Sequence, residues 1–298
     1  MKSQNIRYQF SPNLTIDWLL DTIPNLLFPN LAKQRSRLPS ALMGIVASWQ
    51  QQPVGLVVAN AESTQKIYRI HSLCVHPNFR RKGIATTLLD RLEKAIGQFG
   101  GTKIEGLVHQ HWTSFEWLRA KSQRLNWTPF QPKLMIVKGK TAAAAQFLGT
   151  YKSSPSNFNY VPFNQLTRKE VQHIQDKQRR SQWFDSDLHP FLARQSIATS
   201  LSFLVKKEGV IIGWLVTHQL NSTTTEITSL FLDRKYTSFR LAHFLLQKVF
   251  SAYLDAGIPK FVATSKVNGN PVLKLLRRAA TAGVVEQTTV YFTEKEIL

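Results

Sequence analysis

A chain of 298 residues, 43% of them hydrophobic, is long enough for two domains of roughly 150 residues, each able to bury its own core. Its one cysteine, Cys74, excludes an intramolecular disulfide and points to a reducing, cytoplasmic setting. The 38 Lys and Arg against 18 Asp and Glu give a net charge of +20, carried by residues 1–150 (19 basic, 7 acidic) and 151–298 (19 basic, 11 acidic) alike, which excludes a simple basic tail and gives the whole surface a field that attracts polyanions.

The N-terminal MKSQNIRYQF has no apolar core of the kind a secretory signal needs. The apolar stretch Trp18 to Phe28 is broken by Asp21 and Pro24. No run reaches the roughly 18 apolar residues of a membrane span, so a soluble protein without a transmembrane segment is expected. Leu42 to Ser48 and Val54 to Asn60 read as strands joined by the polar turn Gln50, Gln51, Gln52 and Pro53. Ile67 to Val75 is a third strand, ended by His76, Pro77 and Asn78. After Arg80-Arg81-Lys82-Gly83-Ile84-Ala85 comes a helix whose apolar positions Leu88, Leu89, Leu92 and Ile96 recur at helical spacing and which Gly100 and Gly101 stop. Lys103 to Val108 is a fourth strand, Thr113 to Leu125 a second helix, and Leu134 to Val137 a last strand. The order β-β-β-α-β-α-β predicts helices packed on a mixed sheet, an α+β or α/β arrangement.

From Lys140 to Pro162 an alanine cluster gives way to Ser153, Ser154, Pro155 and Ser156, which places a linker at 146–160 between domains 1–145 and 161–298. The second half repeats the first. A shift of 157 carries Leu73 and Val75 onto Leu230 and Leu232, and Ile84, Ala85, Leu88 and Leu89 onto Leu241, Ala242, Leu245 and Leu246. It also carries Lys103 onto Lys260 and Leu118 onto Leu275. Val54-Gly55 matches Ile212-Gly213 at a shift of 158.

A strand, a turn with Arg-x-x-Gly-x-Ala and a helix make an anion site. The first helical turn has amide groups without intrahelical partners, and the helix dipole adds to them. Gly83 and Ala85 let a ligand approach the backbone, and Arg80, Arg81 and Lys82 add charge; the expected ligand is a pyrophosphate. The run Val75 to Ala85 resembles motif A of the GNAT superfamily of N-acetyltransferases, and with the strands before it and the helix after it the resemblance covers most of 1–140, with a degraded copy at 200–295. It implies two tandem GNAT-like domains, each a mixed, mostly antiparallel sheet flanked by helices. It also implies acetyl-CoA as cofactor, with its pyrophosphate on the amides of Arg81, Lys82, Gly83, Ile84, Ala85 and Thr86 beside Arg80, and its pantetheine arm along Leu73, Cys74 and Val75. The reaction implied is acetyl transfer to an amine acceptor.

Many members of the family place a glutamate on the strand before motif A. His71 holds that position here, as general base or as a hydrogen-bonded structural residue. The tyrosine that usually protonates the leaving thiolate falls on Ser122, a departure from the pattern. His109 and His111 have no Cys or carboxylate at metal spacing, and no metal is expected. Arg179-Arg180-Ser181-Gln182-Trp183-Phe184 mixes cations and aromatics as nucleic-acid surfaces do, or is a solvated helix face beside buried rings.

In the degraded copy Arg80, Arg81, Lys82 and Gly83 become Thr237, Ser238, Phe239 and Arg240. One acetyl-CoA per chain is therefore expected, with the second domain shaping the acceptor pocket, binding a partner or forming a homodimer. The basic surface either is a general property of the chain with no dedicated partner or favours an acidic or nucleic-acid-associated acceptor. The alternative is a non-catalytic tandem module that binds acetyl-CoA or RNA. An aminoacyl-tRNA-dependent transferase on the same fold would have no use for the intact pyrophosphate loop.

Overall fold

The computed structural model describes residues 6–28, 42–62, 66–149, 157–191, 197–236, 239–267 and 271–297. In chain order the elements are β1 (Arg7–Leu14), α1 (Ile16–Thr22), β2 (Leu42–Trp49), β3 (Gln52–Glu62), β4 (Ile67–Val75), α2 (Ile84–Gln98), β5 (Lys103–His109), α3 (Phe115–Arg124), β6 (Gln131–Lys140) and α4 (Thr141–Leu148). There follow β7 (Phe158–Pro162), α5 (Arg168–Ser181), β8 (Phe203–Lys207), β9 (Val210–Asn221), β10 (Thr224–Leu232), α6 (Phe239–Asp255), β11 (Lys260–Lys266), α7 (Pro271–Thr281) and β12 (Val285–Glu296). The strand and helix order predicted for the first half is present, preceded by β1 and α1, which the apolar pattern did not reveal.

Two compact units form. One comprises the described residues up to 131 together with 291–297, the other those from 132 to 290. In the first, the strands run β1-β2-β3-β4-β5 and then the end of β12, from residue 291 on. β1 to β4 are antiparallel neighbours, and β4 and β5 are parallel. The turn between β2 and β3 puts both Gln50 and Gln51 at positive φ, the backbone that matches the twist of a tight hairpin. α2 buries Leu88, Leu92 and Ile96 against Val57, Ala59 and Tyr68. Gly55 permits this approach, since a Cβ there would lie 3.0 Å from Ile84 and 3.2 Å from Leu88. α2 ends in a Schellman motif, with Gly101 N–H on the Ile96 carbonyl and Gly100 N–H on that of Gly97. α1 covers the other face through Ile16 and Leu19 against Leu56 and Val58.

In the second unit the start of β12, residues 285–290, lies beside β6, and the order continues β6-β11-β10-β9-β8-β7. α6 is the counterpart of α2, burying Leu241, Leu245 and Val249. α5 begins with a capping box between Thr167 and Glu170 and brings Ile174 onto Leu204 and Trp214.

The strand containing Leu134 to Val137, expected as the last of the first domain, belongs to the second unit. β6 pairs antiparallel with β11 from Lys140↔Lys260 to Leu134↔Lys266, with Met135 and Val137 buried in that unit's core. The end of β12 takes the corresponding place in the first unit. Ile297 N–H donates to Thr102 O, Glu294 N–H to Thr128 Oγ1, and Thr293 Oγ1 to Thr128 O. The two units have therefore exchanged their closing strands, and they meet along the chain at 131/132 and 290/291.

Candidate functional site

The repeat register survives in backbone detail. β4 pairs with β5 only from Ile67↔Lys103 to Ile70↔Gly106, although β4 runs on to Val75 and β5 to His109. β10 pairs with β11 only from Thr224↔Lys260 to Ile227↔Ala263, the same positions shifted by 157. At the point of divergence each strand bulges. In the β3–β4 ladder Val58 pairs Ser72 and Ala59 pairs Ile70, so His71 is the extra residue. In the second unit Thr228 is skipped between Ile227 and Ser229. A bulge bends its strand and raises its twist, and here it turns the end of each strand away from its parallel neighbour. From His71 to Val75 extended backbone thus lies beside a strand with which it no longer pairs, an arrangement suited to an extended ligand.

β4 leads into the turn singled out from sequence. His76 N–H donates to Val54 O at 2.9 Å, and a 3₁₀ turn, Pro77–Phe79, follows. The Arg80 guanidinium reaches back to the Val75 carbonyl, Nε to O 3.1 Å. Arg81 and Gly83 have φ of +61° and +80°. Gly83 is the N-cap of α2, and its carbonyl accepts from Thr87 N–H at 3.0 Å. No side-chain cap bonds to the first amides of α2, and a Cβ on Gly83 would meet nothing within 4 Å. Within the chain, glycine is thus required here by its backbone angle rather than by crowding, and the space over the turn is open. Arg80, Arg81 and Lys82 are exposed, Ala85 and Thr86 half-buried, and Ile84 anchors the helix start in the core. Lys82 Nζ lies 5.0 Å from the Phe79 ring centre. Left-handed backbone, open space, cations and uncapped amides are the features from which an anion site can be made.

Leu73 packs partly against the α2-side core and Cys74 against the α1-side core; Val75 is buried. Burial pushes the Cys74 thiol up, opposed in part by Arg80. His71 is half-buried. Burial, reinforced by the positive charge of Arg69, pushes its pKa down to about 4. Its Nε2 is hydrogen-bonded to Asn60 Oδ1, and the Asn60 amide donates to Ala61 O at 2.8 Å. With the Asn60 amide so oriented, Oδ1 faces the ring, Nε2 carries the proton, and the lone pair falls on Nδ1. Asn60 was legible only as a polar residue closing an apolar strand. Ser72, buried and also missed, donates from Oγ to Leu26 O at 3.4 Å. Its repeat partner Ser229 donates to Leu188 O at 2.8 Å.

Ser122, at the usual tyrosine position, is buried and its Oγ donates to the Arg119 carbonyl of its own helix at 2.9 Å. His109 and His111 stand at the carboxyl end of β5, with ring centres 5.4 Å apart and Trp112 5.0 Å from His109. Among the described residues no group of His, Cys, Asp and Glu is placed to hold a metal ion, and no helix is long and apolar enough to cross a membrane.

The Arg179–Phe184 stretch resolves into an exposed helix end beside packed rings. Phe184 is buried, and the Trp183 indole N–H donates to Asp233 Oδ2 at 2.7 Å under Lys177, whose Nζ is 3.5 Å from the ring centre. Thr237 and Ser238 lie outside the described residues. Arg240 is exposed in the first turn of α6.

The model of the acetyltransferase (GNAT) family matches residues 12–113 and 168–280. No curated protein matches. Among solved structures, the chain is similar to a tandem GNAT protein from the clavulanic acid biosynthesis pathway, without acetyl-CoA, at TM-score 0.66 and 13% identity over 98% of this chain and 99% of that one. It is also similar to a GCN5-related N-acetyltransferase from Sphaerobacter thermophilus, at TM-score 0.63 and 15% identity over 97% and 96%. A third likeness, TM-score 0.65 at 12% identity, is to the glucosamine N-acetyltransferase region of a fungal multi-domain β-N-acetylglucosaminidase, and covers 97% of this chain and 38% of that one. At these identities the likeness shows the fold, while the family match covers both repeats: the chain belongs to the acetyltransferase (GNAT) family, in its tandem form.

Proposed function

We propose that the first unit binds acetyl-CoA and transfers its acetyl group to an amine. Family membership supports acetyl transfer in general, and the observation that carries the finer reading is the divergence of β4 from β5 after Ile70 and Gly106, ending at an uncapped helix start with open space above Gly83. The amides of Arg81 to Thr86 would hold the pyrophosphate, with Arg80, Arg81 and Lys82 neutralising it. The backbone of Leu73, Cys74 and Val75 would pair with the pantetheine arm in the manner of an added strand. When bound, the cofactor supplies an activated thioester for attack by the acceptor.

The chain's own residues then manage protons and exclude competing chemistry. Cys74, with its thiol pushed up by burial, stays protonated at neutral pH, which disfavours an acetyl-cysteine intermediate and favours direct attack. His71 is neutral at pH 7 and offers Nδ1 as the proton acceptor. Its low pKa makes it a weak base that remains unprotonated in mild acid. The Ser122 hydroxyl is engaged by its own helix, so protonation of the leaving thiolate falls to water or to an acceptor-borne group. The net charge favours an acceptor that is acidic or associated with nucleic acid.

The test is thiol release from acetyl-CoA in the presence of a panel of amines. Amine-dependent release by the native chain, lost in Gly83→Glu, supports the assignment. Tight acetyl-CoA binding with no release for any amine would make the chain a binding module instead.

A further inference from the structure

The strand exchange sorts charge. In the first unit, Lys103 on β5 is bracketed by two carboxylates from the incoming end of β12, Glu294 at 3.4 Å and Glu296 at 3.1 Å. Next to it Arg69 pairs with Glu105 at 3.0 Å and Glu62 at 2.8 Å. That sheet face is neutralised pair by pair. In the second unit the repeat partner of Lys103 is Lys260, and the strand beside it is β6. Lys140 stands directly opposite Lys260, and Lys138 is two residues along, opposite Val262. Met135, Val137, Phe261 and Ala263 point into the core. Alternation therefore puts Lys138, Lys140 and Lys260 together on the other face, where all three are exposed. Among the described residues no carboxylate is ion-paired with any of them. The nearest carboxylates in the sheet are Glu226, opposite Val262 on β10, and Glu286 on β12, next to Val285, which lies over Gly139.

Directly opposed side chains in an antiparallel pair have Cβ atoms about 5 Å apart, and like charges there are destabilising. The second unit thus keeps three cations where the first has a cation between two anions. By compact unit, residues 1–131 with 291–298 hold 17 basic and 9 acidic residues (+8), and 132–290 hold 21 and 9 (+12). The excess lies with the unit that lacks the Gly83 turn.

We infer that the Lys138–Lys140–Lys260 face of the second unit is a docking surface for the phosphate backbone of nucleic acid. Lysines at i and i+2 along a strand stand about 7 Å apart, a row of point charges suited to successive phosphates. β6 is paired with β11, so it offers no free edge there for a peptide to add as a strand. Among the described residues neither β6 nor β11 carries an exposed large apolar side chain to enter a bilayer. Neither strand presents an exposed aromatic ring for base stacking, so binding reads the backbone and is indifferent to sequence.

The test uses the full chain and a fluorescein-labelled single-stranded RNA of roughly 20 nucleotides, longer than the site of a single module. Lys138→Glu/Lys140→Glu rebuilds around Lys260 the arrangement seen around Lys103, so the variant keeps or raises its melting temperature. Its affinity at about 50 mM salt falls at least tenfold, and the slope of log K against log salt flattens by about 2, the value for three phosphate contacts on a single strand. The control Lys94→Glu/Lys169→Glu makes the same charge change on exposed helix positions and lowers affinity less than about threefold, through the general field alone. Equal losses in both variants, or no loss in the first, would overturn the assignment. So would native binding to phosphatidylserine vesicles, abolished by the first variant, without binding to RNA. Should the glutamate variant melt early, Lys138→Gln/Lys140→Gln reads the loss of two contacts without charge reversal, a flattening of about 1.4.

Discussion

His218 Nδ1 lies 2.8 Å from Thr228 Oγ1, bridging from β9 to the bulge of β10 as Asn60 bridges from β3 to His71 in the bulge of β4. Each unit keeps a histidine in the pair that spans its bulge, but on opposite strands. Only the first places the ring on the bulged residue, in the unit that also carries the open turn at Gly83. If His71 is the base, His71→Ala lowers kcat by at least tenfold with the acetyl-CoA affinity little changed, while His218→Ala leaves turnover near native. Steady-state kinetics on both variants decide it; equal effects would mark both rings as structural.

The depressed pKa of His71 has a stability consequence. The folded state resists protonation down to about pH 4, whereas the unfolded chain takes up the proton near 6.5. The contribution is therefore fully present above about pH 6.5 and is lost as pH falls toward 4, because the unfolded state binds more protons in that window. His71→Asn should flatten the fall in urea midpoint between pH 6.5 and 4 relative to the native chain. The acid limb of activity in the native protein should likewise lie well below pH 6.5.

At Gly83 the backbone angle separates two effects. Gly83→Ala adds a side chain into open space but at φ of +80°, costing about 1–2 kcal/mol of stability. Gly83→Glu carries the same strain and also puts a carboxylate at the anion site. Calorimetric titration should show acetyl-CoA binding weakened modestly by alanine and by at least a hundredfold by glutamate. Equal affinities in the two variants would place the cofactor elsewhere.

The second turn is expected to stay empty. Arg240 stands where the first unit has Gly83, and titration of the native chain should give one acetyl-CoA per chain. Restoring glycine alone, Arg240→Gly, should not create a second site, since the cations of the first turn have no counterparts at 237–239. A stoichiometry of two in the native chain would refute this.

The exchanged strand can be tested through β5. Glu294→Lys/Glu296→Lys surrounds Lys103 with like charge and should lower the melting temperature. Each exposed pair contributes only up to about 1 kcal/mol, so the loss should shrink in high salt. Hydrogen exchange should show the extra opening in the amides of Lys103 to His109, with those of Lys260 to Lys266 unchanged.

Local pattern in the sequence determined the strands from Leu42 to Val75, the α2 stripe of Leu88, Leu92 and Ile96, the turn at Gly83 and the register of the repeat. Each of these rests on side-chain periodicity or on backbone preference over a few residues, and the 157-residue shift reappears in the β4–β5 and β10–β11 pairings. Tertiary structure alone decided which sheet each closing strand joins. Residues 131–140 and 285–296 both form strands, and periodicity says which face of a strand is buried, not which neighbour it pairs with. It also decided that His71 is the bulged residue against Asn60, that Ser122 turns onto its own helix, and that Lys138 and Lys140 face Lys260 while Glu294 and Glu296 face Lys103. Apart from the Ser122 bond to Arg119, three residues away, these are juxtapositions between strands, fixed by burial and pairing, for which a linear sequence carries no local signal.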